Sequence, residues 1–365
     1  MVFVTKVSMN PYKKWSFLFF SILAVVFSLI ASSVYIIDPL QMFRKMKYEP
    51  FYDFNERHIT PGIIKQYDFN AVLLGTSMMQ NSKPSQVDKL YNVKAVKLSF
   101  PAATILEQEF VFKHAAEKQP LKLVIFSIDS ISFSNDKESL GDEFPHHLYN
   151  LNHTNIYKYF FDFYLLKKMR KINFLSIYNG RKYEYNFDKV GYWGDSKVYS
   201  KISLFDSYHS PVFKNLEFKP DLIKNVSKNL EYIFEPMIKK NPNTEFLVFF
   251  PPYSILYWAR YSKSGHLKDQ LTFKANIYNS LKKYKNVKLF DFQIEKSITH
   301  NFNNYCDIMH YSPKINEYII ENLKNEKYLI NEGNIQNLLN ALKDQAVSFE
   351  KQHLPSIIRK EYEDA

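Results

Sequence analysis

Residues 70–77 read Asn-Ala-Val-Leu-Leu-Gly-Thr-Ser. The apolar run 70–74 is too brief for a helix and stops at a glycine, so it predicts a buried strand. Gly75 permits a sharp turn, and a serine just past a strand holds its hydroxyl at the carboxyl edge of a sheet, where open α/β sheets bind ligands. The same pattern recurs outward from here. Residues 95–100 predict a second strand, stopped by Pro101, and 121–131 a third. Residues 244–250, closed by Pro251 and Pro252, and 287–292 predict a fourth and a fifth. Helical spacing occupies 104–118, with Leu106, Phe110, Val111 and His114 on one side, and also 221–240, 266–284 and 313–327. Strands separated by helix-length segments predict an α/β domain built on a mainly parallel, doubly wound sheet.

The flanking regions read differently. No charged residue lies between Trp15 and Ile37, a span long enough to cross a bilayer, which takes about 20 residues. Lys6, Lys13 and Lys14 precede it, Arg44, Lys45 and Lys47 follow it, and Trp15 and Tyr35 sit at its ends as interface anchors. This predicts an uncleaved signal anchor. A cleavable signal with Ala31-Ser32-Ser33 as its small-residue site, or a buried core helix, are the other readings. Either membrane reading puts the remainder outside the cytoplasm. The chain thus divides into an anchor (1–38), a juxtamembrane segment (39–67), an α/β domain (68–330) and a polar helical tail (331–365). Within the domain, 134–220 lacks a period and reads as an insertion capping the carboxyl end of the sheet.

Composition excludes several classes. Of 365 residues only 8 are glycine, which leaves no glycine-rich nucleotide loop, and Cys306 is the one cysteine, so neither an intrachain disulfide nor a Cys-rich metal site can form. The formal charge is +11, but the lysines are dispersed and no nucleic-acid-binding motif accompanies them. That favours a surface beside anionic lipid or polymer over nucleic acid.

After the last strand comes Tyr305-Cys-Asp-Ile-Met-His-Tyr-Ser-Pro313, with Asp307 and His310 three apart before a proline-started helix. A serine hydroxyl is a weak nucleophile and needs a base within hydrogen-bond reach. His310 can be that base for Ser77, and Asp307 can fix its tautomer and stabilise the imidazolium. The bland alternative is that Ser77 caps a helix and His310 is a surface histidine.

On these residues the chain resembles the SGNH, or GDSL-type, hydrolase superfamily. Leu73–Ser77 is similar to its first block, with Thr76 where Asp or Ser is usual, and Asp307–His310 to its last. Leu98–Ala103 resembles the second block, with Ala102 in place of the glycine whose N–H serves the oxyanion hole. The third block falls at Ser127–Ser130, with Asp129 where an asparagine donor is usual. An ionised carboxylate cannot donate, so Asp129 is protonated, another group serves, or the donor is absent. The resemblance implies a flavodoxin-like three-layer sandwich and covers about residues 68–325. The N-terminal helix ending near Asp38-Pro39, followed by Asn55-Glu56-Arg57, is similar to the membrane-anchored bacterial branch. That branch implies a single-pass protein of the cytoplasmic membrane with a periplasmic or extracellular catalytic domain. It implies an esterase or O-acyltransferase for cell-envelope polysaccharide, working without a cofactor, beside a polytopic membrane-bound O-acyltransferase. A non-catalytic relative that binds polysaccharide or that acyltransferase is the alternative.

Other residues carry weaker signals. Pro252 and Tyr253 end the fourth strand where a substrate groove is expected, or merely terminate it. Trp193 and Trp258 suit either sugar stacking or packing. His146 and His147 near Asp142 and Glu143 lack established ligand spacing and read as a solvated loop.

Overall fold

A computed structural model describes residues 10–134, 140–141, 144–172, 175, 183–209 and 222–355. The chain forms two units: Met1–Phe54 with Pro61–Gln66 and Pro145–Tyr185, and Asn55–Thr60 with Tyr67–Phe144 and Asn186–Ala365.

The first unit carries the apolar helix Pro11–Ile37. Asn10 caps its start by accepting from Tyr12 N, and Pro11 occupies the first turn, where a missing N–H costs nothing. Its 27 residues extend about 40 Å at 1.5 Å per residue, enough to cross a hydrocarbon core of about 30 Å. Trp15, Phe17 and Leu29 are 71%, 70% and 63% exposed, so this is not the core helix of a soluble fold. It fits a membrane anchor or a signal sequence. Its last turn is different: Val34 and Ile37 are buried, and Asp38 leaves the helix in the left-handed region at φ 48°. The Asp38 carboxylate accepts from Met42, Phe43 and Arg44 N–H, each at 2.8 Å, and from the Tyr159 hydroxyl at 2.9 Å.

The second unit is an α/β fold whose five strands are β1 Ala71–Leu74, β2 Ala95–Lys97, β3 Leu123–Ser127, β4 Glu245–Phe250 and β5 Val287–Asp291. They pair in parallel throughout, in the order β2-β1-β3-β4-β5. β1 and β3 are buried at every position, as a sheet covered on both faces requires. In this order the chain reverses direction across the sheet between β1 and β3, opening a crevice beyond their carboxyl ends.

Several sequence expectations shift. The third strand ends at Ser127, and Ser130–Phe133 is helical. The helix Ile105–Lys118 buries Ile105, Gln108, Val111, Phe112 and Ala115, whereas Leu106, Phe110 and His114 are only partly buried. Gln108 turns inward because its amide donates to Ala103 O at 3.2 Å and Ser132 Oγ at 3.3 Å, so apolarity alone misplaces the face. Residues 222–239 are helical in three pieces, with a π-type turn Leu230–Phe234 ahead of Pro236, which cannot donate a helical hydrogen bond. An aromatic helix, Ile255–Lys263, follows β4 and had no signal in the sequence because its buried face includes Tyr257, Trp258 and Tyr261. The segment read as one insertion divides, with 145–185 in the first unit and 186 onward in the second.

Candidate active site

β1 delivers the serine. Gly75 follows it at φ 146°, and a Cβ built there would lie 2.7 Å from Ser127 Oγ, so the turn requires glycine. Thr76 then caps the helix Ser77–Gln80, its hydroxyl accepting from Met78 N at 3.3 Å. The cap is Thr76 and not Ser77, which leaves the Ser77 hydroxyl free for another partner. The helix has only four residues, too few for an appreciable macrodipole.

That partner is His310. Ser77 Oγ lies 2.7 Å from His310 Nε2, and His310 Nδ1 lies 2.7 Å from Asp307 Oδ2. Asp307 Oδ1 accepts from the N–H of Met309 at 2.8 Å and of His310 at 2.7 Å, a local turn that presets the ring. Burial pushes the Asp307 carboxyl up, but the hydrogen bonds from the His310 ring and these two amides outweigh it and hold it below the usual range. The loop is pinned from both sides. Tyr311 OH and Asn316 Nδ2 donate to Met78 O at 3.2 and 2.8 Å, tying the histidine loop to the serine helix. Ser254 Oγ donates to Ile308 O at 2.8 Å, and Tyr305 OH to Pro252 O at 2.7 Å.

Asp129, past β3, is buried beneath this pair. Its Oδ2 accepts from Thr76 Oγ1 at 2.6 Å and its Oδ1 from Tyr253 OH. Burial drives its carboxyl up from the usual range, against the pull of both hydroxyls. Each oxygen thus accepts from a hydroxyl, and through Thr76 Asp129 braces the turn before Ser77. Pro252 and Tyr253 are likewise buried: they support Tyr305 and Asp129 from below and present no groove surface.

Ala102 is exposed, with φ 49° in the left-handed region. The turn that a glycine would make easily is therefore made by alanine, at a cost of about 1 kcal/mol. Neither Ala102 N–H nor Ser77 N–H has a hydrogen-bond partner among the described residues. The Ala102 loop is held at Phe100 N, which donates to Gly75 O at 3.2 Å, and by Arg57. Arg57 Nε and Nη2 grip the Glu107 carboxylate at 2.7 and 3.1 Å, and Nη2 also donates to Pro101 O at 3.1 Å. Glu107 in turn closes a capping box with Thr104. No spacing rule connects Arg57 to a loop 44 residues away; this clamp was invisible in the sequence.

Trp193 packs edge-to-face on the His310 ring, with centroids 5.4 Å apart. Trp258, in contrast, is 2% exposed and belongs to the core. Among the described residues no group of three or more His, Cys, Asp or Glu could hold a metal ion. His146 and His147 lie in the short helix His146–Tyr149, and Asp142 and Glu143 fall outside the described residues.

No family model and no curated protein matches this chain. Among solved structures, one named "putative platelet activating factor from Streptococcus pneumonia" overlaps 75% of this chain and 91% of its own, at 10% identity and a TM-score of 0.36. A likeness at that TM-score and identity assigns neither fold nor chemistry.

Proposed function

We propose that the chain is a serine esterase or O-acyltransferase of SGNH type, acting on ester-linked acyl groups of a cell-envelope polysaccharide. The observation that carries this reading is the unbroken chain Ser77 Oγ to His310 to Asp307, with both links at 2.7 Å. His310 Nε2 takes the Ser77 proton as Oγ attacks the ester carbonyl, and Asp307 stabilises the imidazolium. The tetrahedral oxyanion rests on the N–H groups of Ser77 and Ala102. On collapse, His310 returns the proton to the departing alkoxide, leaving an acyl-enzyme. Water or a sugar hydroxyl, deprotonated by His310, attacks the acyl carbon and frees Ser77. In this reading the Pro11–Ile37 helix stays as a single-pass anchor in the cytoplasmic membrane, with the enzyme outside it and a polytopic membrane-bound O-acyltransferase as its neighbour. Ser77→Ala is expected to abolish p-nitrophenyl acetate turnover, by about 10⁴-fold or more; unchanged turnover would sink the reading.

The second reading, a non-catalytic envelope protein, is favoured by Asp129 alone, because it supplies no side-chain donor to an oxyanion. Labelling of Ser77 by a fluorophosphonate probe separates the two: a folded protein that stays unlabelled supports the second.

A further inference from the structure

The loop that brings Trp193 to His310 is fastened at many points. Ser85 N and Oγ donate to the Asp188 carboxylate at 2.9 and 2.6 Å. Trp193 N donates to Asn81 Oδ1 at 3.2 Å, just past the serine helix, and Ser200 N to Tyr305 O at 3.0 Å, just before Asp307. Gly194 sits against Pro313, which leaves no room for a side chain. Both ends of the loop are thus tied to the two segments that supply Ser77 and His310.

Trp193 remains half-buried and touches the general base on the open side of the site, unlike the buried Trp258. Around it stand hydroxyl and carboxylate groups. Tyr192 OH donates to Asp195 at 2.9 Å, Asp195 is exposed, and Tyr199 OH donates to Gly194 O at 3.1 Å. The nearby Lys83 is engaged by Glu317. An indole face covers the C–H face of a pyranose, and neutral hydroxyls bind ring hydroxyls; the loop carries one exposed carboxylate, Asp195, and one exposed ammonium, Lys197, so it offers a polyanion no net positive charge.

Resting on the acyl-transfer reading above, we propose that Trp193 and the 192–199 loop form the acceptor subsite. It takes an uncharged, hydroxyl-rich sugar ring and sets it beside His310, so that a sugar hydroxyl and not water receives the acyl group. The bonds exchanged are those of the second half-reaction: the sugar oxygen gains the acyl carbon, Ser77 Oγ loses it, and the sugar's proton passes through His310 to Ser77.

The test has a binding arm that does not need catalysis. In full-length Trp15→Phe, Ser77→Ala protein excited beyond the tyrosine absorption band, Trp193 and the buried Trp258 are the remaining tryptophan emitters. Cellohexaose or the N-acetylglucosamine hexamer is expected to shift the emission, and titration calorimetry, which needs no fluorophore, to show binding about tenfold weaker in Trp193→Ala. An oligogalacturonate is expected to bind more weakly than either. No response to any neutral hexamer, equal affinity with Trp193→Ala, or stronger binding of the oligogalacturonate overturns the proposal while leaving the esterase reading intact. In protein carrying Ser77, the ratio of sugar acylation to hydrolysis is expected to fall about tenfold in Trp193→Ala and less in Trp193→Phe. An equal loss of both reactions means that Trp193 only props His310, and overturns the proposal. Ester turnover that survives Ser77→Ala is a separate result: it removes the esterase reading and leaves the binding arm to stand or fall alone.

Discussion

The two halves of the candidate site are built in opposite ways. The half formed by Ser77, Asp307 and His310 is closed by short hydrogen bonds between side chains, with local amides holding Asp307. The half formed by Ala102 and Asp129 has no side-chain donor. It offers backbone N–H groups from a strained turn, over a carboxylate whose oxygens are both taken. Proton transfer needs side chains of particular chemistry at particular positions, whereas an oxyanion can be held by any well-aimed amide. The first half therefore cannot drift in sequence without losing its chemistry, and the second can, provided the loop stays where it is.

Three substitutions break or sharpen this contrast. The largest effect is expected from Asp307→Asn, which keeps the shape but favours the wrong imidazole tautomer; the rate constant for ester hydrolysis should drop about 10⁴-fold, read by stopped turnover assays, while the fold persists by circular dichroism. A drop below tenfold would mean that the first half is not the reacting one. Next is Arg57→Ala, which releases the loop carrying Ala102 without touching substrate. We expect about a tenfold loss in kcat, little change in KM and partial rescue by Arg57→Lys, since the lost interaction acts in the transition state. Equal losses in a variant and its rescue would assign Arg57 to stability alone.

The smallest effect is expected from Asp129→Asn. The folded-state carboxyl is held above its unfolded value, so the folded protein binds the extra proton. The resulting stability is complete below the unfolded pKa and is lost as pH rises through the folded one. The variant should lack this loss, so its melting temperature should fall less than the wild type's as pH rises from about 4. Parallel curves would show that Asp129 titrates normally.

Much of the fold was legible because strand and helix periods need only local information. All five strands were visible as apolar runs, although β3 read too long, since Ile128 and Ile131 continue its apolar pattern after the backbone has turned. The aromatic helix Ile255–Lys263 was hidden because its first five residues are all buried and its polar residues, Arg260, Ser262 and Lys263, fall in the last turn, too few to mark a period. At the site, Gly75-Thr76-Ser77 and Asp307-x-x-His310 stood out by their positions after the first and last strands. The polar brackets did not. Tyr311, Asn316 and Arg57 act over separations of 233, 238 and 50 residues; Arg57 and Tyr311 stood within quoted motifs, but nothing in the local pattern names the partners they reach.

The sequence by itself determined the apolar N-terminal helix and the parallel α/β architecture, and it picked out Ser77, Asp307 and His310 as candidates, because these follow from runs, periods and residue types. Only the tertiary structure decided that Ser77 meets His310 at 2.7 Å and that Thr76 does the capping. It also decided that Asp129, Pro252 and Tyr253 are buried, and that the half-buried Trp193 packs on His310. These are matters of which distant segments a twisted sheet brings together, and a linear pattern carries no such distances.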